Sequence, residues 1–312
     1  MLSIKPIGGS DRQIGYYAQL GREDYYTRGG EPPGIWWGSG AERVGLMGQV
    51  QGDDFAAILR GFQPNAQASQ PLVQNAGRIQ RRSGFDLTWS APKSVSVLWS
   101  QSSEHRRKAI EGCLQRAVEK AMEATALLCA RTRRGSRGHT TENAQLIAAL
   151  FRHETARGVD DALPDPHLHW HAVLCNVAVR ADGTFGALDA RGLFRPHMKM
   201  ALGALFRTEL AHQLGSIGLS VHRPVDESGK QKSWFELDCV PVELLETFSR
   251  RRQQVQRWLS ERSLSGAKAS ERAALLTRSR KQHFTRDELF ETWRTSVQEL
   301  SPCREVRFAL SH

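Results

Sequence analysis

A chain of 312 residues that is 40% hydrophobic can bury a substantial core, which excludes a disordered tail and allows one large or two ordinary domains. Its net charge of +10 favours polyanionic partners, and no stretch approaches the roughly 20 apolar residues that a membrane-spanning helix needs. The N-terminus, Met1 to Pro6, lacks the apolar core of a secretory leader, and the five cysteines are scattered without a CxxC pair, as reduced cytoplasmic thiols would be.

In chain order, the first chemical signal is tyrosine. All four tyrosines fall in two adjacent pairs, Tyr16-Tyr17 and Tyr25-Tyr26. Tyrosine used to fill a core or interface would be scattered. Concentrated, it suggests a nucleophile, although packing of an aromatic cluster stays open on these residues alone. A phenol with a pKa of ~10 is protonated at neutral pH and needs a base or a cationic electrophilic site to react.

Residues 28–40 are dense in Gly and Pro and read as a loop. Phe85 to Ser90 then alternates as a half-buried strand does, with Phe85, Leu87 and Trp89 on one face and Asp86, Thr88 and Ser90 on the other. Ala91-Pro92-Lys93 interrupts it, and Val95 to Trp99 is expected to resume extended structure. Ser102 or Ser103 suits the N-cap of a helix that carries Ile110, Leu114, Ala117, Val118, Ala121, Met122 and Leu128 at helical spacing. Arg131, Arg133, Arg134 and Arg137 surround Gly135 and Gly138 in what reads as a flexible loop.

The segment Pro166-His167-Leu168-His169-Trp170-His171 runs into an apolar stretch, Val173 to Val179. On a strand, positions i, i+2 and i+4 share a face, so His167, His169 and His171 project together, and two of them suffice to hold part of a divalent ion's shell. His153 ends another apolar run, Leu146 to Arg152. An antiparallel pairing through the loop from Gly158 to Pro166 would bring it beside the triplet. Such an ion would neutralise a phosphate and fix it for in-line attack by a phenolate. His105, His139, His197, His212, His222 and His283 have no such spacing and read as surface or core residues. Glu154 beside His153 does not complete a HExxH motif, and GxxxxGK[ST] and GxSxG motifs are absent, which removes zinc-protease, motor ATPase and serine-hydrolase readings.

A second helix fits about 200–216, with Leu202, Leu205, Phe206, Leu210 and Leu214 on one face and an end at Gly215 or Gly218. From about 241 the chain reads as helical and basic. Arg78, Arg81 and Arg82 precede the Asp86 strand, and Arg250, Arg251 and Arg252 open the C-terminal region. A charge run is usually a solvated face; as a set, these arginines also suit phosphate contacts. Trp36, Trp37 and Trp234 suit either base stacking or burial. Strands and helices without strict βαβ regularity argue for α/β or α+β with a mainly antiparallel sheet.

Tyr16-Tyr17 with Tyr25-Tyr26, Ala41-Glu42-Arg43-Val44-Gly45-Leu46, Gly84 to Ser96 (GFDLTWSAPKSVS), Phe151-Arg152-His153-Glu154-Thr155 and Leu168 to Ala172 (LHWHA) resemble, in that order, the MobF class of conjugative relaxases. These are TrwC/TraI-like DNA-nicking domains of the HUH endonuclease superfamily, and the resemblance runs through nearly the whole chain. It implies a two-layer α/β fold with a central, mainly antiparallel sheet. Residues 1–240 would form the catalytic core and 241–312 a helical, basic segment of the same domain closing over DNA. It implies metal-dependent, strand-specific nicking at a plasmid origin of transfer through a 5′-phosphotyrosine, followed by rejoining of ends. By resemblance, Tyr16 is the first nucleophile and Tyr25 the second, with Tyr17 and Tyr26 as secondary candidates. Asp86 orients a ligand histidine and accepts a tyrosine proton, and His153, His169 and His171 are the ligands. His167, at a position where relatives carry Gln, is a spare ligand, a DNA contact or a solvated loop side chain, the last two preferred.

The same likeness implies Mg²⁺ or Mn²⁺, with Zn²⁺ or Ni²⁺ as alternatives. The partners would be single-stranded and hairpin DNA at the origin, relaxosome accessory proteins and a coupling protein. It also implies a bacterial cytoplasmic location, with transfer of the protein alongside the DNA. Full MobF proteins continue into a helicase, so this chain is expected to be an excised domain. Two alternatives use the same parts: a rolling-circle replication initiator, and a DNA-binding module that has lost nicking, against which a complete Tyr/His/Asp set argues.

Overall fold

Two long strands frame the molecule, β7 (Gln145–Thr155) and β8 (Pro166–Val179), paired antiparallel so that His153 lies opposite His169. The computed structural model describes residues 1–20, 27–28, 31–65, 70–135, 138–159, 162–277 and 284–300. Beyond β8 come β4 (Arg82–Ser90) and β1 (Leu2–Gly8), and beyond β7 comes β3 (Ile35–Trp37). A short β9 (Phe185–Gly186) adds to the end of β8, and every pairing in this sheet is antiparallel, as the sequence led us to expect. Both β7 and β8 are nearly continuous apolar runs because the sheet is covered on both faces.

One face packs Leu87, Trp89, Ala148, Leu150, Ala172 and Leu174 against α5 (Glu104–Cys129) and α6 (Pro196–Ser216). Ser103 caps α5 as expected, its hydroxyl accepting from the Arg106 amide. Leu128 and Leu205, assigned to the apolar faces of these helices, are instead 49% and 38% exposed. The other face packs Ile147, Ala149, Phe151, Val173 and Cys175 under α1 (Asp11–Leu20), α2 (Ser39–Arg43) and α3 (Gly52–Arg60). A Cβ on Gly38 would stand 2.4 Å from the Leu146 carbonyl oxygen, so only glycine lets α2 approach β7 this closely.

Three local expectations are corrected. Val95 to Trp99 is not extended: it lies within α4 (Lys93–Gln101), buried on nearly all sides. Glu236 accepts from the Ser94 amide, and the Ser94 and Ser96 hydroxyls accept from the Leu237 and Leu168 amides. Those tertiary partners favour a helix over the β-branched Val-Ser-Val pattern. The stretch 28–40 is not simply a loop. It contains the end of β2 (Thr27–Arg28), all of β3 and the start of α2, because Ile35 to Trp37 supply the edge pairing of β7. Arg131 to Arg134 form β5, paired with β6 (Thr140–Asn143), because a hairpin satisfies their backbone groups. Arg137 lies outside the described residues.

Past the small ribbon of β10 (Val221–His222) and β11 (Glu236–Leu237), the chain is helical through α7 (Val242–Thr247), α8 (Arg250–Ser260), α9 (Ala267–Leu276) and α10 (Arg286–Leu300). Leu244, Phe248, Leu289, Phe290 and Trp293 join the core that α5 and α6 cover. Each such burial contributes roughly 1.5–3 kcal/mol, enough in sum to dock the segment firmly. Before α10, β12 (Phe284–Thr285) pairs in parallel with β2. No helix among the described residues is long and apolar enough to cross a membrane.

Candidate active site

The strand period sets the site. Odd-numbered residues of β8 face the α1–α3 side, so His167, His169 and His171 continue the stripe of Val173 and Cys175 toward the end of the sheet. On β7, His153 continues the stripe of Ile147, Ala149 and Phe151. On β4, Asp86 projects opposite to Phe85 and Leu87, and pairs in register with Val173. The ring centroid of His153 lies 5.5 Å from that of His169 and 5.1 Å from that of His171, and the last two are 5.1 Å apart.

Each ring has a partner on Nδ1. His171 Nδ1 lies 2.8 Å from Asp86 Oδ1, His169 Nδ1 donates to the His167 carbonyl at 2.8 Å, and His153 Nδ1 lies 2.9 Å from Glu31 Oε2. A carbonyl can only accept, so His169 carries its proton on Nδ1 and Nε2 is a lone-pair donor. Burial, then the neighbouring imidazoles, hold His169 neutral, well below the ordinary range. Burial pushes the Asp86 carboxyl up, but the charge of His171 and hydrogen bonds from His171 and Tyr17 outweigh it, and the net direction is down. An ionised Asp86 accepts, so His171 donates from Nδ1.

Three imidazoles that bind one ion at ~2.1 Å have ring centroids roughly 5 Å apart, which is the spacing here. Among the described residues, no three His, Cys, Asp or Glu side chains meet a metal-site geometry as they stand. A cation would offset the repulsion between converging lone pairs and so draw the three rings together. The donor set, imidazoles each with an acceptor on the far nitrogen, fits a divalent ion.

The Tyr17 hydroxyl donates to Asp86 Oδ2 at 3.0 Å, and the Tyr16 ring meets the Tyr17 ring edge-on at 5.2 Å. Both are half-buried on α1. Tyr25 and Tyr26 lie outside the described residues. His167 is not a solvated loop side chain: strand β8 begins at Pro166, and the His167 ring is half-buried and stacked on His169 at 4.6 Å. Glu31 was missed from the sequence. It is 7% exposed and its only sequence signal is an acidic residue within a Gly/Pro stretch.

The arginines divide. Arg81 is buried, donating to Leu59 O, Asn75 Oδ1 and Asn176 O, and burial lowers its pKa to about 10. Arg250 binds Asp165, and Arg251 donates to Ala274 O and Thr277 O at the end of α9. Arg81, 2% exposed, is an internal tie and cannot reach DNA, contrary to its assignment, whereas Arg250 and Arg251 are half-buried and spend several of their donors within the fold. Arg78, Arg82 and Arg252 are exposed. Trp36 is buried at 9%, whereas Trp37 and Trp234 are half-buried, the latter under Lys232. At the far end of β8, roughly 17 Å from His171 along the strand, Arg82, Arg133, Arg134, Arg180 and Arg191 line a cavity of about 940 Å³.

Comparison with known proteins gives this arrangement a context. A family model described as TrwC relaxase matches residues 10–300. The chain is 31% identical over 309 residues to the multifunctional conjugation protein TraI of Escherichia coli (strain K12). That alignment covers 96% of the chain but 16% of TraI, so the chain spans about a sixth of the relative's length. Among solved structures, the metal-bound conjugative relaxase TrwC in complex with oriT DNA superposes with a TM-score of 0.79 at 30% identity, covering 96% of this chain and 98% of that one. TrwC complexed with a 27-mer DNA comprising the recognition hairpin and the cleavage site superposes at 0.77 and 29% identity, with 96% and 98% covered.

Proposed function

Because the chain belongs to the TrwC relaxase family, we propose that it nicks one strand of DNA at an origin of transfer through a tyrosine nucleophile and later rejoins the ends. The observation that carries this reading is the convergence of His153, His169 and His171 with Asp86 and a tyrosine of α1 at one end of the sheet. His153, His169 and His171 would hold a divalent ion, Mg²⁺ or Mn²⁺ in preference to Zn²⁺ or Ni²⁺; the metal-bound TrwC relative supports such a cofactor. When bound, the ion supplies charge neutralisation at the non-bridging phosphate oxygens.

The tyrosine oxygen forms a bond to phosphorus as the bond to the 3′ oxygen breaks. The product is a 5′-phosphotyrosine and a free 3′ hydroxyl, which takes up a proton. An ionised Asp86 orients His171 and sits within hydrogen-bond reach of a phenol. Its carboxyl is far more acidic than a phenol of pKa ~10, so it takes that proton only as the new bond to phosphorus forms. Tyr16 is the first nucleophile by family position, with Tyr25 or Tyr26 serving the closing transfer. The bond from the Tyr17 hydroxyl to Asp86 favours a second assignment, in which Tyr17 attacks. Adjacent residues on a helix point ~100° apart, so the two phenols cannot occupy the same seat.

DNA is gripped by exposed cations: Arg78, Arg82 and Arg252, and Arg133, Arg134 and Arg191 of the cavity at the far end of β8. The segment 241–312 covers the DNA, and accessory proteins and a coupling protein assemble on the complex in a bacterial cytoplasm. Incubation with single-stranded origin oligonucleotides and Mg²⁺ or Mn²⁺ should give a protein–DNA adduct on a denaturing gel. Failure to form one with any origin related to those of the family would overturn the proposal.

A further inference from the structure

We propose that Glu31 is a positioning residue of this site, whose buried carboxylate holds His153 with its proton on Nδ1 and so presents Nε2 to a divalent cation. The inference rests on the metal reading given above and extends it to a residue that lies outside the His/Asp/Tyr motifs.

Glu31 Oε2 stands 2.9 Å from His153 Nδ1, and Oε1 accepts from the Glu154 amide at 3.4 Å, so the carboxylate grips both the ring and the backbone of β7. The two side chains are 2% and 4% exposed, which excludes the solvent screening that weakens surface pairs. A buried carboxylate is costly unless it is paired and hydrogen-bonded. Here it meets a neutral or cationic imidazole, and those alternatives differ in function: an imidazolium cannot ligate a metal, whereas an imidazole protonated on Nδ1 can. The neighbours favour the second. His169 already carries its proton on Nδ1, and His171 donates its own to Asp86, so Glu31 completes a set in which every ring has an acceptor on the same nitrogen. With Asp86, it places a second carboxyl group behind the ligands.

Mn²⁺ binding, followed by electron paramagnetic resonance of the free ion, tests this without reference to cleavage. Glu31→Gln should bind Mn²⁺ ~10–100-fold more weakly than wild type, the usual effect of losing an outer-sphere carboxylate. Glu31→Asp should recover part of the loss, and His169→Ala should abolish binding. Wild-type affinity in Glu31→Gln, with binding lost in His169→Ala, would overturn the role of Glu31 and leave the metal reading intact. If wild type binds no Mn²⁺, the metal reading falls and this inference with it. Should Glu31→Gln fail to fold, long-range ¹⁵N–¹H correlations of the metal-free wild type decide: His153 protonated on Nδ1 alone supports the assignment, and protonation on Nε2 overturns it.

Discussion

Replacing Arg250 by Ala separates two meanings of a basic cluster. Its guanidinium reaches Asp165 Oδ1 at 2.7 Å, and its own amide donates to Oδ2 at 2.9 Å. The Asp165 side chain is 3% exposed and that of Arg250 is 35% exposed. Removing one partner of a fully buried pair costs about 3–5 kcal/mol. Water can reach the Arg250 side of this one and the amide bond survives, so about 2 kcal/mol is expected. At roughly 2–4 °C per kcal/mol for a domain of this class, the melting temperature should fall by several degrees. Arg252, two residues on, is exposed, and its replacement by Ala should change stability by less than about 0.5 kcal/mol. It should instead flatten the salt dependence of single-strand binding by roughly 0.7 log units, if it meets one phosphate. Thermal denaturation in chelator and a salt titration of oligonucleotide binding read the two effects. If Arg250→Ala melts like wild type and flattens the salt slope as Arg252→Ala does, the internal tie is unimportant and Arg250 is a DNA contact after all.

His169→Ala, or chelation of wild type, should abolish cleavage and leave most DNA affinity, and undiminished cleavage in excess EDTA would remove the three-histidine site. Tyr16→Phe should lose nicking of supercoiled origin DNA while Tyr17→Phe retains it; an adduct that peptide mapping places on Tyr17 would reverse the assignment. Burial keeps His167 and His169 neutral in the fold, well below 6.5, whereas in the unfolded chain they take up protons near that value. Stability of the metal-free protein should therefore be full above pH 6.5 and fall as the pH drops below it, by roughly 1 kcal/mol per histidine between pH 6.5 and 5.5. A melting temperature that is flat over that window, after correction for acidic groups, would show that these rings titrate normally.

The convergence of histidines was legible because a strand's period of two leaves no freedom: once His167, His169 and His171 alternate, they share a face, whereas which of them would serve as ligands came from the family resemblance. The short connection from Thr155 to Pro166 puts β7 alongside, and the register brings His153 opposite His169. Parity on β4 put Asp86 on the face opposite Phe85 and Leu87, and its role beside a histidine came from the resemblance. Glu31 was not legible, because it belongs to no periodic element. It reaches His153 across 122 residues, from a segment that also brings Gly34 so close to Phe151 that an added Cβ would stand 2.2 Å from its ring. Helix α4 was misread for a related reason. Val95, Ser96 and Val97 carry a strand's local pattern, and the partners that decide for a helix, Leu168, Glu236 and Leu237, lie far away in sequence.

The arginines show the same limit on the side of binding. Sequence displays charge, whereas affinity for a polyanion depends on charge that the fold leaves accessible. Of Arg78, Arg81, Arg82, Arg250, Arg251 and Arg252, the second, fourth and fifth are taken up by carbonyls and Asp165. The proposed grip on DNA therefore draws chiefly on Arg78, Arg82 and Arg252, and on the cavity that Arg82 shares with Arg133, Arg134 and Arg191. Even there, Asp189 is held ionised by hydrogen bonds from Arg191 and Arg133, so the cavity offers fewer net charges than arginines. Because Arg82 opens the strand that carries Asp86, the cavity and the candidate active site are joined by β4 itself.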